Sequence, residues 1–235
     1  MPAPEHSIHL ARLRLDPRSR EVQRDLADCQ ALHRTVMAAF PDAAGPEARA
    51  RFGVLHRPEL DRRGEDVVLL VQSNAPGDWA RLPAPAAGRG YLRDGTRAES
   101  KEIGPALGRV AIGQRLAFRL RANPTRTVNA SHAGHDRLAG KRVDLLREDE
   151  QVAWLTKRLA QSGCRVAEAR VAGRDPFSGR QTGRRGEQRV TVAAVLFEGV
   201  LLVEEPAALV AAVATGIGRG KAYGCGLLSL APARR

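Results

Sequence analysis

The sequence predicts an α+β chain of two units, and three observations carry that expectation. The chain has 235 residues, enough for two domains of about 100 residues each. Its second half reads strand Arg142–Leu146, helix Asp149–Gln161, strand Arg165–Val171, the β-rich stretch Val190–Val203, helix Pro206–Thr215 and strand Leu227–Leu230. That is the β-α-β-β-α-β order of a split βαβ unit. Hydrophobic residues make up 43% of the chain but aromatic residues only 4%, so the cores must be built from Val, Leu and Ala. The expected units are 1–130 and 141–235, joined by a polar, glycine-punctuated linker at 131–140. The first half fits the same order less closely.

In the first half, Ala11, Leu13 and Leu15 alternate with Arg12 and Arg14, as a half-buried strand does. Asp16-Pro17 ends it, and after a short polar segment Asp28 is placed to cap a helix from Cys29 to Phe40, stopped by Pro41. Val67–Val71 is an unbroken apolar run and predicts a central strand within Asp66–Gln72, with Arg51–Leu55 as its candidate neighbour. Between Pro76 and Gly113 no period stands out, so loops with at most one short helix are expected. Leu116, Phe118, Leu120 and Ala122 then alternate with more polar neighbours until Pro124 stops the strand.

Two stretches of the second half point to phosphate. Gly216–Gly226 holds five glycines in eleven residues, a density that suits backbone with positive φ or close approach to a ligand. Successive glycine amides form anion-binding nests, and Arg219 and Lys221 add charge to this one. The stretch is neither a Walker loop, since the glycine spacing is one short and Ala222 follows the lysine, nor a dinucleotide fingerprint, since a helix precedes it. The alternative is a plain surface turn before the last strand. Between the middle strands, Arg170, Arg174, Arg180, Arg184, Arg185 and Arg189 face only Asp175 and Glu187. A hairpin carrying such arginines suits the backbone of duplex RNA, read by shape more than by sequence; the alternative is a solvated loop.

The whole chain carries 38 Lys and Arg against 26 Asp and Glu, a formal charge of +12, which predicts a polyanionic partner. Arginine-rich composition without a partner is the competing account. Nucleic acid is favoured over membrane, because no apolar run reaches the ~18 residues of a span and no hydrophobic signal core opens the chain. Cys29, Cys164 and Cys225 are odd in number and far apart, as reduced thiols in a cytoplasm are. His132 and His135 have a spacing that can hold a metal, but no ligand cluster accompanies them, and neither metal nor cofactor is expected. His33 shares a helical stripe with Cys29, Val36 and Phe40, which by itself favours a core histidine over a catalytic one.

Four blocks change that balance: Phe118–Pro124 (FRLRANP), Gln151–Leu155 (QVAWL), Leu196–Gly199 (LFEG), and Gly216–Pro232 with its glycines and terminal GLLSLAP. Their sequences and order closely resemble the CasE family, the endoribonuclease subunit of the type I-E CRISPR complex Cascade. The resemblance implies two tandem ferredoxin-like domains. It implies metal-independent cleavage of CRISPR repeat RNA at the base of its hairpin by 2′-hydroxyl attack, retention of the processed crRNA, and assembly with the other Cascade subunits in antiviral defence. Family members carry a histidine in the first helix in the setting Leu-His-Arg/Gln, matched here by Leu32-His33-Arg34, so His33 becomes the catalytic candidate. The better-known members place a tyrosine three residues earlier, where this chain has Gln30. The expected RNA contacts are Arg34, Lys141, Arg142, Arg180, Arg184, Arg185, Arg189, Gly218, Arg219, Gly220 and Lys221. Cleavage needs an in-line geometry, one proton removed, one donated and a stabilised phosphorane. His33 can perform either transfer, and its place near a helix N-terminus predicts a lowered pKa. Two other functions compete: a non-cleaving RNA-binding Cascade subunit, suggested by Gln30, and a basic ribosome-associated RNA-binding module.

Overall fold

A computed structural model describes residues 7–41, 47–60, 67–84, 89–128, 140–174, 177–183 and 186–233. The strands are β1 (His9–Leu15), β2 (Leu55–Leu60), β3 (Val67–Ser73), β4 (Glu99–Glu102), β5 (Arg115–Ala122), β6 (Thr125–Thr127), β7 (Arg142–Asp144), β8 (Cys164–Arg174), β9 (Phe177–Gly183), β10 (Gly186–Val192), β11 (Val195–Val203) and β12 (Leu228–Pro232). The helices are α1 (Arg20–Ala27), α2 (Cys29–Ala38), α3 (Ala48–Arg51), α4 (Gly104–Leu107), α5 (Glu148–Ala160) and α6 (Pro206–Thr215).

Two four-stranded sheets form, ordered β2-β3-β1-β4 and β12-β5-β11-β8. Counting the strands of each sheet from one to four in chain order, both read 4-1-3-2 across, and every pairing is antiparallel. This is the ferredoxin-like arrangement, present twice in tandem. In the first sheet, Leu13 pairs with Leu69 and both are fully buried, in one core with Leu32, Val36 and Phe40 of the helix side. In the second, Leu116, Phe118, Leu120 and Ala122 point inward and pack with Leu155, Leu159, Phe197, Leu209 and Val213.

Sheet membership corrects the expected boundary. Arg115–Ala122, placed by its position in the unit 1–130, hydrogen-bonds between β11 and β12 and is the first strand of the second sheet. The predicted strand at Arg142–Leu146 is the shorter β7, which pairs only with β6 in a two-stranded ribbon. A strand's sheet is decided by its backbone partners, and Phe118 opposite Gly199 gives β5 a neighbour on the far side of the chain. The neighbour of β3 is likewise Leu55–Leu60; Ala48–Arg51 is a single helical turn. Residues 129–139, with His132, His135 and most of the expected linker, lie outside the described residues.

The two halves are joined by buried polar contacts. Arg57 of β2, 1% exposed, donates to the carbonyls of Arg119 at 3.1 Å and Leu227 at 2.8 Å and to Ser229 Oγ at 2.8 Å, while Glu59 balances its charge at 2.7 Å. Gln72 of β3 donates to the Val213 carbonyl of α6 at 2.7 Å. The first sheet is thereby fixed against β5, β12 and α6. Among the described residues no helix is long and apolar enough to cross a membrane.

Candidate active site and nucleic-acid interface

Helix α2 begins as expected. Asp28 Oδ1 accepts from the amides of Gln30 at 2.8 Å and Ala31 at 3.2 Å, satisfying two of the donors a helix start leaves open. A second carboxylate fixes the helix from the side: Asp25, fully buried at the end of α1, accepts from Thr35 Oγ1 at 2.6 Å, Tyr91 OH at 2.9 Å and Arg24 Nη2 at 2.8 Å. The elbow between α1 and α2 is therefore held from three directions, and His33 projects from a braced element.

The imidazole of His33 is half-buried and lies over the ring of His56 on β2, centroids 6.1 Å apart and planes 22° from parallel. Burial, with Arg49 of α3 nearby, pushes His33 down to about 4. The direction is the one the sequence predicted, but desolvation produces it where a helix dipole was expected. His56, 1% exposed, is pushed down to about 3 by burial and then by His33, Arg121 and Arg49. Both rings are neutral at pH 7. Neutral imidazole has a free lone pair for proton abstraction.

The glycine-rich stretch closes on this pair from the second half. Residues Lys221–Tyr223 form a single 3₁₀ turn that packs against α2 and β2. Gly218 and Gly220 have φ of 82° and 75°, a region costing other residues roughly 1–2 kcal/mol. A Cβ on Gly218 would come within 3.1 Å of the Trp154 ring. Among the described residues the amides of Gly218, Arg219 and Gly220 make no backbone hydrogen bond, which leaves donors for an anion, as a nest requires. Arg219 beside them is exposed. Lys221 is half-buried and donates to the Thr215 carbonyl at 2.7 Å, and its ammonium is pushed down by burial and then by Arg49.

The other predicted residues divide by place. Arg34 is exposed on α2, one step round from His33, and shares a groove of about 340 Å³ with Arg24 and Arg81. Lys141 and Arg142 are exposed at the separate β6–β7 ribbon. The basic stretch does form a hairpin: β9 pairs with β10, with Arg180 opposite Arg189. The side chains of those two, and all of Arg184 and Arg185, lie outside the described residues. Strand β9 crosses the start of α2 so closely that a Cβ on Gly179 would sit 2.7 Å from both Asp28 Oδ1 and Cys29 Sγ. Between the halves, beside Cys29 and Tyr223, a cleft of about 610 Å³ is lined by Arg57, Arg119, Arg121 and Arg174 as well as Asp25 and Glu59.

Sequence reasoning missed Asp25, Arg49, His56 and Arg57. Their only signal was polarity at positions that turn out wholly or partly enclosed: His56 and Arg57 follow the candidate strand Arg51–Leu55 and are buried where β2 meets the second half.

Comparison with known proteins adds an independent line. The chain is 39% identical over 231 residues to the CRISPR-associated endoribonuclease Cse3 of Thermus thermophilus, covering 95% of this chain and 99% of that protein. It is 34% identical over 210 residues to the CRISPR system Cascade subunit CasE of Escherichia coli, covering 87% and 92%. A solved structure of the CRISPR endoribonuclease Cse3 bound to a 19-nucleotide RNA superposes with a TM-score of 0.78 at 37% identity, covering 96% of this chain and all of that one. Residues 8–232 match the family described as CRISPR associated protein, and the chain belongs to that family, with CasE and Cse3 among its relatives.

Proposed function

We propose that the chain is the repeat-RNA-processing endoribonuclease of a Cascade complex, with His33 as its proton-transfer residue. The observation that carries this reading is the meeting of a neutral, half-buried imidazole with a cationic glycine-rich loop at the seam of two tandem ferredoxin-like halves. With its lowered pKa His33 acts as the base: it takes the proton of a ribose 2′-hydroxyl while that oxygen attacks the adjacent phosphorus and the 5′-oxygen leaves. The unpaired amides of Gly218–Gly220, with Arg219 and Lys221, receive the phosphate charge. Arg34 and the arginines at 180, 184, 185 and 189 hold the hairpin's backbone, and Lys141 and Arg142 extend the contact at the small ribbon. Cleavage falls at the base of the repeat hairpin, needs no metal or cofactor, and leaves the crRNA bound for assembly with the other Cascade subunits in the cytoplasm.

A second reading, a subunit that binds RNA without cutting it, is favoured by Gln30, which supplies no phenolic proton three residues before His33. Single-turnover cleavage of labelled repeat RNA in EDTA decides between them. The parent protein should cut, and His33→Ala should bind the hairpin normally, melt as the parent does, and cut at least ~100-fold more slowly. Parent-like cutting by the variant overturns the assignment of His33. Loss of cutting by the parent in EDTA overturns the metal-free mechanism.

A further inference from the structure

We infer that His56 is the positioning residue for His33, the group that accepts the Nδ1–H of the His33 ring when that ring is charged. The inference rests on the reading of His33 as the proton-transfer residue. Nδ1 of His33 and both ring nitrogens of His56 are buried with no hydrogen-bond partner. Three enclosed, unpaired nitrogens on two stacked rings need an explanation, because a buried polar group without a partner is destabilising and rare.

The chemistry of His33 supplies one. As it takes a proton at the nitrogen facing RNA, the ring becomes an imidazolium with an N–H on each side. The inner N–H, at Nδ1, then sits in an enclosed site beside Arg49, where a charged group without an acceptor is costly. The charged groups facing the pair, Arg49 from α3 and Arg121 from β5, only donate. The 3₁₀ turn Lys221–Tyr223 packs against α2 and β2; its Lys221 ammonium only donates, while its Tyr223 hydroxyl both donates and accepts. The neutral imidazole of His56, in ring contact with His33, offers the acceptor lone pair. The rings are stacked at 6.1 Å, so the bond forms by rotation of a ring when RNA seats, as catalytic hydrogen bonds tighten on substrate binding. His56 then fixes the tautomer and orientation of His33, the part that the third group of a nucleophile–base–orienter set plays.

Two variants test this. His56→Phe keeps a ring and removes the nitrogens; His56→Gln gives up the ring and restores an acceptor oxygen. Each is assayed by melting, hairpin binding and single-turnover cleavage in EDTA from pH 3 to 8. His56→Phe should fold and bind as the parent does but cleave at least ~10-fold more slowly at its plateau, as expected for loss of an orienting partner. The acidic limb of its rate profile should move to lower pH, because an imidazolium without an acceptor holds its proton less well. His56→Gln should recover part of the plateau and of the limb. If His56→Phe cleaves with the parent's rate and profile, or outperforms His56→Gln, the ring is structural packing and the inference fails. If His33→Ala also cleaves normally, the reading of His33 itself has failed; if His33→Ala is inactive while His56→Phe is unaffected, only this inference has.

Discussion

The Arg57 guanidinium of the first sheet donates to the Leu227 carbonyl of the second half at 2.8 Å, across 170 residues of chain. With the Arg119 carbonyl, Ser229 and Glu59 as its other partners, it is a buried cation fully satisfied by both halves. Arg57→Met removes those bonds and leaves buried acceptors unpaired, and should cost about 3–5 kcal/mol. Urea unfolding monitored by circular dichroism would measure the loss; a change below about 1 kcal/mol, the scale of an exposed pair, would show that the contact carries little.

Acid should destabilise the fold earlier than its carboxylates alone would dictate. His33 and His56 have folded pKa values near 4 and 3 against about 6.5 in an unfolded chain. Between those limits the unfolded state binds more protons, so stability is full above about pH 6.5 and is lost progressively as pH falls toward 4. The loss should be on the order of 3 kcal/mol for each histidine, about 6 for the pair. Melting temperatures from pH 8 to 4 check it: the double variant His33→Ala, His56→Phe should show a flatter profile than the parent, and equal slopes would refute the account.

At the glycine-rich stretch, Gly218→Val and Gly220→Val should both weaken hairpin binding by closing the nest. Gly220→Ala separates space from strain, since the nearest atom to a Cβ there is 3.5 Å away. It should cost about 1 kcal/mol of stability from the positive φ alone, with a smaller loss of affinity than valine. Melting curves and titrations with repeat RNA on the same preparations read both quantities. Parent-like affinity in folded valine variants would return the stretch to a mere turn.

Arginine-to-alanine changes at 180, 184, 185 and 189 should weaken binding about equally for hairpins of different stem sequence. Each should also lower the salt slope of log affinity by about one unit for every phosphate that the arginine neutralises. A weakening confined to one stem sequence would instead reveal reading of base edges.

How far the sequence carried the fold depends on which force sets each element. Helices Glu148–Ala160 and Pro206–Thr215 and strands β1, β3, β5 and β11 all bury one apolar face, and their periodicity was legible to within a few residues. Strand β4, Glu-Ser-Lys-Glu, is exposed at every position; only backbone bonds to β1 make it a strand, and no side-chain pattern records them. Helix α1 lies in the short polar segment before Asp28: only Val22 and Asp25 of it are buried, too few to set a period, and Asp25 is held there by partners as distant in sequence as Tyr91. At the site, family resemblance and the helix cap placed His33 correctly on α2. Its neighbours Arg49 and His56 come from α3 and β2, and their proximity is a property of the tertiary fold, which spacing along the chain does not express.

The crossing of Gly179 over the start of α2 places a reporter in the protein. Cys29 is 7% exposed there, and its thiol is pushed up to about 11 by burial and then by the Asp28 charge, so it meets alkylating reagents as an unreactive thiol while the hairpin lies in place. Were β9 to lift, Cys29 Sγ would lose the close approach of Gly179. The rate at which Cys29 is labelled would then time any undocking of the hairpin, with no foreign probe in the chain.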